Sequence, residues 1–433
     1  MKSRQFNHSI TVLLLLSLFC SFIFAKYTSA EMEVNIDWNI IADGYISYSN
    51  LSVSIPSNSS NQKVTSIQIS EPYTLEMNGS VWRANIELYN FSEKTVKGKF
   101  IVTTDYIKRT QIWDTSTSDY LNPSKLVDIN EDIRAEASKF SGISFPNNTI
   151  SLAKWVHENL EYDKAYISGS YPASSVLETK RGVCDEYSHL FIAMCRSLGI
   201  PARIVVGYVF DSSGQIYGND SWTPHAWAEV YDKGWGWIEV DPTYEEFLNL
   251  DALRVRTATG IDQEETKDKL EALGVAKELN FSASTSIKIL RKSEVSKINV
   301  NLELIAQPED SLSQPVTIII KNSNQYPIFL TASLAVPQGI DCNCSNNVLL
   351  QPGEKKKVSY DLNLSGVIEP DMKYNFSVKA LTEYGSAEGS FERMIITPAF
   401  TSVQELPPQF MLFIAIAVGV AIILIIVAIV IRW

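Results

Sequence analysis

The stretch RGVCDEYSHLFIAMCRSLGIPAR, residues 181–203, decides the architecture. Its spacing predicts a helix from Cys184 to Leu198 whose inward face is Cys184, Ser188, Phe191, Cys195 and Leu198. Gly199 ends that helix, Pro201 keeps it from resuming, and Ile204–Phe210 reads as the next strand. The loop Arg181-Gly182-Val183 delivers Cys184 onto the first turn. There, unpaired N–H groups and the positive end of the helix dipole favour a thiolate. The same N–H groups, that of Cys184 included, are candidates to hold an oxyanion. Cys195 lies eleven residues on, roughly 16 Å up the axis, and reads as a core residue.

Downstream, residues 224–231 (PHAWAEVY) and 235–241 (WGWIEVD) are two strand-like runs joined by Asp232-Lys233-Gly234, which predicts a hairpin. Pivoting on Lys233 pairs 231 with 235, 229 with 237, 227 with 239 and 225 with 241. His225 and Asp241 become cross-strand neighbours with Cβ atoms about 5 Å apart. Ala226, Ala228, Val230, Ile238 and Val240 take the opposite, core-facing side. A thiol at a helix start with a His–Asp couple is an activated-nucleophile arrangement, and the chemistry it suits is acyl transfer at an amide or ester.

Four blocks then stand in order. They are Arg181-Gly182-Val183-Cys184-Asp185-Glu186-Tyr187, Leu198-Gly199-Ile200-Pro201-Ala202-Arg203, His225-Ala226-Trp227-Ala228-Glu229-Val230, and Trp237-Ile238-Glu239-Val240-Asp241-Pro242-Thr243. Together they resemble the transglutaminase-like core of the papain-type cysteine enzymes, over about 60 residues and more loosely over about 140. The resemblance implies a Cys–His–Asp triad at Cys184, His225 and Asp241, and a cysteine helix packed on an antiparallel sheet. It also implies a thioester resolved by an amine or by water, as in protein-glutamine acyltransferases, cysteine proteases or amidohydrolases, and peptide:N-glycanases.

Other residues carry weaker readings. Trp222, Trp227 and Trp237 are candidates to line a substrate groove, although aromatic pairs on a hairpin also pack. His189 reads as a surface or supporting residue and His157 as solvated. Glu239, Asp241, Glu245 and Glu246 invite calcium but lack a ligand-loop spacing, so neither a metal nor any other cofactor is expected. Cys342 and Cys344 could close a small disulfide.

The expected fold class is multidomain α+β. Residues 1–30 have the layout of a cleaved signal peptide, with Ala25 or Ala30 as the cleavage residue. Alternating apolar residues predict an N-terminal β-sandwich over 31–125, followed by the catalytic core over 126–262. Residues 263–284 read as a charged helical linker, 285–398 as an immunoglobulin-like β-sandwich and 399–409 as a stalk. Residues 410–431, without a charge and followed by Arg432-Trp433, read as a transmembrane helix.

The net charge of −12 falls to −15 if Lys2, Arg4 and Lys26 leave with the signal segment, which argues against nucleic acid as a partner. Between the signal-like segment and the 410–431 run, ten Asn-x-Ser/Thr sequons suit a glycoprotein ectodomain. The combined expectation is a single-pass cell-membrane enzyme acting on peptide or protein substrates at the cell surface. Its rival is a non-catalytic adhesion or scaffold protein.

Overall fold

The computed structural model describes residues 27–78, 81–106, 117–142, 145–211, 221–248, 250–294, 300–303, 316–324, 326–362, 372–382 and 385–395. The chain opens with β1 (Tyr27–Ser54), β2 (Gln62–Ile69), β3 (Thr74–Asn78) and β4 (Val81–Asp105). Met32, Val34, Ile36, Trp38 and Ile40 alternate inward along β1, so one face of a very long strand is apolar.

The central unit follows, with helices α1 (Glu131–Ser138), α2 (Phe145–Asn159), α3 (Ala173–Thr179) and α4 (Cys184–Ser197). Short strands β5 (Glu161–Tyr162) and β6 (Arg181–Gly182) pair in parallel just before α4. Strands β7 (Ala202–Asp211), β8 (Ser221–Asp232), β9 (Gly236–Asp241), β10 (Glu246–Phe247) and β11 (Arg254–Gly260) form an antiparallel sheet in the order β10-β9-β8-β7-β11. Its even-numbered residues on β8 and β9, Ala226 to Val240, pack with Leu190, Phe191 and Met194 of α4. The helix is buried nearly all round because the sheet and the other helices enclose it.

The other face of that sheet is covered as well. Val205, Trp227, Leu253 and Val255 share one core with Val34, Trp38, Phe100 and Val102 of the N-terminal strands. The predicted N-terminal β-sandwich over 31–125 is therefore corrected: its described strands, β1–β4, belong to a single sheet, and the partner layer is the central sheet.

The predicted helical linker over 263–284 is corrected too. After α5 (Gln263–Thr266), the chain runs as β12 (Lys269–Val275) and β13 (Leu279–Glu294) along one edge of β1. Leu270, Ala272, Phe281, Ile287 and Ile289 alternate inward, and this period-2 pattern outweighs the charged composition. Tyr27–Ala30 lie within β1, paired with β4 and β13, so a signal segment compatible with this sheet ends before Tyr27. Cleavage after Ala30 would remove strand residues.

The C-terminal unit begins with β14 (Val300–Glu303), later than the predicted 285, because β13 belongs to the first sheet. With β15 (Val316–Asn322), β16 (Ile328–Ala335), β17 (Ser345–Leu350), β18 (Lys355–Tyr360), β19 (Met372–Thr382) and β20 (Gly385–Ile395), it makes two sheets, β14-β15-β18 and β17-β16-β19-β20. They share a core of Ile318, Ile320, Leu330, Tyr360, Phe376 and Val378. Phe329 meets Phe247 edge-on at 5.1 Å, and Asn347 N–H donates to Asn147 Oδ1, which seats this unit on the central one. Cys342 and Cys344 are bonded to each other. No helix among the described residues is long and apolar enough to cross a membrane; the stalk and the 410–431 segment lie outside them.

Candidate active site

The cap of α4 is built from its own first turn. Val183, the N-cap residue, has no side-chain oxygen, so Glu186 folds back, accepting the Val183 N–H at 3.0 Å and the Tyr171 N–H at 3.2 Å. Gly182 permits this, since a Cβ there would sit 2.3 Å from Glu186 Cβ. Burial, then the neighbouring Asp185, pushes Glu186 up to about 7.

Ser188, one turn on, donates to Cys184 O at 2.8 Å and to Ala226 O at 3.3 Å, tying the start of the helix to β8. The Ala226 backbone also hydrogen-bonds the Cys184 sulfur, one residue from His225. The chain thus brings the cysteine and the histidine strand together.

The hairpin register differs from the expected one by two residues. Ala228 pairs with Val240, Glu229 with Glu239 and Asp232 with Gly236, so the loop is 233–235 and not 232–234. Asp232 builds that turn: its Oδ1 accepts the Gly234 N–H and its carbonyl the Trp235 N–H. Gly236 (φ 72°) takes the left-handed position that closes the turn. A shift of two preserves the face, so His225 and Asp241 become diagonal rather than direct neighbours and still meet, Nε2 to Oδ2 at 2.7 Å.

Asp241 is held from all sides. Oδ2 also accepts Arg254 Nη1 at 2.7 Å, and Oδ1 accepts the backbone N–H groups of Thr243 and Tyr244. Burial alone would raise this carboxyl, but His225 and Arg254 hold it well below the usual carboxylate range. An ionised Asp241 accepts the proton on His225 Nε2, which leaves Nδ1 as the lone-pair nitrogen; Nδ1 is buried and has no partner in the protein.

The thiol itself departs from expectation. Burial pushes Cys184 well above its ordinary value, Asp185 and Asp241 add to this, and the Ala226 hydrogen bond opposes it. The resting sulfur is therefore a thiol, not the thiolate that the helix dipole alone would favour. Cys195 is fully buried in the core, as expected.

Of the three tryptophans, Trp227 and Trp237 are 1% and 6% exposed. Trp227 lies nearly parallel to His225 at 6.1 Å and donates to Glu239, while Trp237 lies under the Arg203 guanidinium at 4.0 Å. Both rings pack, because both faces of the sheet are covered. Half-buried Trp222 sits against Phe210 at 5.6 Å. The remaining candidates also find structural partners. His157 Nδ1 donates to Thr243 O at 3.1 Å, pinning the turn after Asp241 rather than facing solvent. His189 is buried and pushed down to about 4 by that burial, its Nε2 accepting the Gln263 N–H.

Three of the four carboxylates weighed for calcium are bound to arginines: Asp241 and Glu246 to Arg254, and Glu239 to Arg256. Arg254 and Arg256 were the residues that sequence reading missed. Two cations alternating in the otherwise apolar run Leu253-Arg254-Val255-Arg256 were the available signal, since a buried cation needs a buried acid opposite.

Residues 144–242 match the family model of the transglutaminase-like superfamily. Among curated relatives, the chain is 32% identical over 99 residues to the protein-glutamine gamma-glutamyltransferase of Pseudomonas aeruginosa, covering 22% of this chain and 15% of that protein. It is 38% identical over 68 residues to the peptide-N(4)-(N-acetyl-beta-glucosaminyl)asparagine amidase of Gallus gallus, covering 16% and 8%. A solved structure from Cytophaga hutchinsonii aligns at 18% identity and TM-score 0.46, covering 63% of this chain and 94% of that one. The core, residues 144–242, is therefore transglutaminase-like, and the two curated relatives named here are an acyltransferase and an amidase. The matches span 44%, 11% and 15% of the first three relatives' own lengths.

Proposed function

We propose that this protein is a cell-surface cysteine enzyme that performs acyl transfer or hydrolysis at peptide or protein amides, with Cys184 as nucleophile, His225 as base and Asp241 as orienting carboxylate. The observation that carries the reading is His225: Nε2 is engaged by Asp241 at 2.7 Å, Nδ1 is unpartnered, and the next residue's backbone touches the Cys184 sulfur. His225 Nδ1 takes the thiol proton as the sulfur adds to the substrate carbonyl carbon. The Cys184 N–H, at the first turn and without an intrahelical acceptor, donates to the oxyanion. The imidazolium then protonates the departing amine, leaving a thioester on Cys184. Water or a second amine, deprotonated by the same imidazole, resolves it.

Every proton in this cycle moves on groups of the chain itself. Among the three tryptophans, half-buried Trp222 is the remaining candidate for a substrate contact. The apolar, uncharged run 410–431 and the signal-like segment before Tyr27 support an anchored ectodomain, and the acidic net charge supports protein rather than nucleic-acid partners.

The test offers a tryptic peptide mixture and a tagged primary amine, and reads ammonia release, amine uptake and new peptide termini. The reading requires at least one of the three, lost in Cys184→Ala. Ammonia without amine uptake assigns hydrolysis, and amine uptake assigns transamidation. A chain with no Cys184-dependent product in any of the three is a scaffold.

A further inference from the structure

On the face of the central sheet that carries His225, two side-chain hydroxyls beyond it have no partner. Thr223 lies two residues before His225 on β8, and the unbroken β7–β8 register sets it opposite Val209. Tyr244 follows Asp241 by three residues, packs on that same Val209 and on Tyr162, and has its ring 5.2 Å from the His225 ring. Both residues are 7% exposed, and Thr223 Oγ1 and Tyr244 Oη are buried without a hydrogen bond. A buried hydroxyl left unpaired is costly, and two of them against one valine beside a candidate catalytic imidazole mark a place shaped for a polar guest. Pro224, between Thr223 and His225, is exposed, so the place lies just under the surface.

The surrounding charges select the guest. Asp241 and Asp211 bear on the Tyr244 hydroxyl more strongly than Arg254, which opposes them. They disfavour a carboxylate. A neutral amide offers one acceptor and one donor to two hydroxyls that can each give or take. Thr223 is about 10 Å along β8 from Ala226, whose backbone touches the sulfur, so the guest is an amide further along the substrate than the one being cleaved.

We propose that Thr223 and Tyr244 form a subsite for a neutral backbone amide flanking the acyl-donor carbonyl, which makes the substrate a peptide rather than an isolated small amide. This rests on Cys184 being the acyl acceptor, and it adds what the enzyme recognises next to that acyl group.

The test measures alkylation of Cys184 in the full chain by three reagents: chloroacetamide, N-chloroacetyl-glycinamide with a second neutral amide, and N-chloroacetyl-glycine with a carboxylate in its place. The glycinamide reagent should outpace chloroacetamide by about tenfold, the worth of one or two hydrogen bonds. The glycine reagent should lose that advantage. Thr223→Val, which keeps the packing on Val209, should bring the ratio towards one while leaving the chloroacetamide rate within about twofold, and Tyr244→Phe should bring the ratio towards one as well. Equal rates for the two neutral reagents in the wild type, or variants that slow both reagents alike, overturn the subsite. Failure of the catalytic reading looks different: chloroacetamide itself then labels Cys184 no faster than in His225→Ala.

Discussion

Glu246 shares one cation with Asp241, since Arg254 donates Nη2 to Glu246 and Nη1 to Asp241. Two buried carboxylates and one guanidinium leave an excess negative charge. Burial is the larger cause and Asp241 adds to it, and together they outweigh Arg254 to push Glu246 up to about 8 from 4.5. A carboxyl raised in the folded state holds a proton that the unfolded chain has already released. Its stability contribution is therefore complete below about pH 4.5 and is lost as pH rises through 8. At about 1.4 kcal/mol per unit, the full loss is about 5 kcal/mol, an upper bound because buried sites relax. Glu246→Gln copies the protonated form and cannot ionise. Urea unfolding at pH 5, 7 and 9 should show the variant within about 1 kcal/mol of wild type at pH 5 and more stable at pH 9 by several kcal/mol. Parallel wild-type and variant curves across that range would refute the shared-cation account, as would a variant that is the less stable of the two at pH 9.

Asp241→Asn should lower turnover by roughly 10³–10⁴-fold, because an amide N–H facing Nε2 reverses the imidazole tautomer, with the native fold retained by circular dichroism. Gly182→Ala places a Cβ against Glu186 and should cost about 1–2 kcal/mol of stability in urea melts through the lost cap, with slower Cys184 alkylation. Arg256→Leu takes away the cation beside Glu239 and leaves Glu229 with Arg203 alone, both carboxylates being buried, and should destabilise by about 3–5 kcal/mol; Arg256→Lys should recover part of that loss.

Period and punctuation made the α4 helix legible, because Gly199 and Pro201 mark its end and Val183-Cys184 its start. The face shared by His225 and Asp241 was legible too, since parity survives a register shift of two. The register itself was not, because both Gly234 and Gly236 can serve the turn and only the Asp232 side chain decides between them. The long N-terminal sheet escaped for a different reason. Its outer strands β12 and β13 come from residues more than 200 positions away from β1, and a local charge run disguised their alternation. The raised Cys184 thiol depends on burial by layers that no local motif reveals. Thr223 and Tyr244 were visible as residues, but their side-chain hydroxyls gain meaning only once the sheet buries them unpaired.

Acyl transfer from p-nitrophenyl acetate, quenched within one turnover and read by mass spectrometry, tests the nucleophile most directly. One acetyl group per chain is expected on the peptide containing Cys184, absent in Cys184→Ala and formed at least about a hundredfold more slowly in His225→Ala. An unacetylated Cys184, or acetylation at the same rate without His225, would contradict the mechanism.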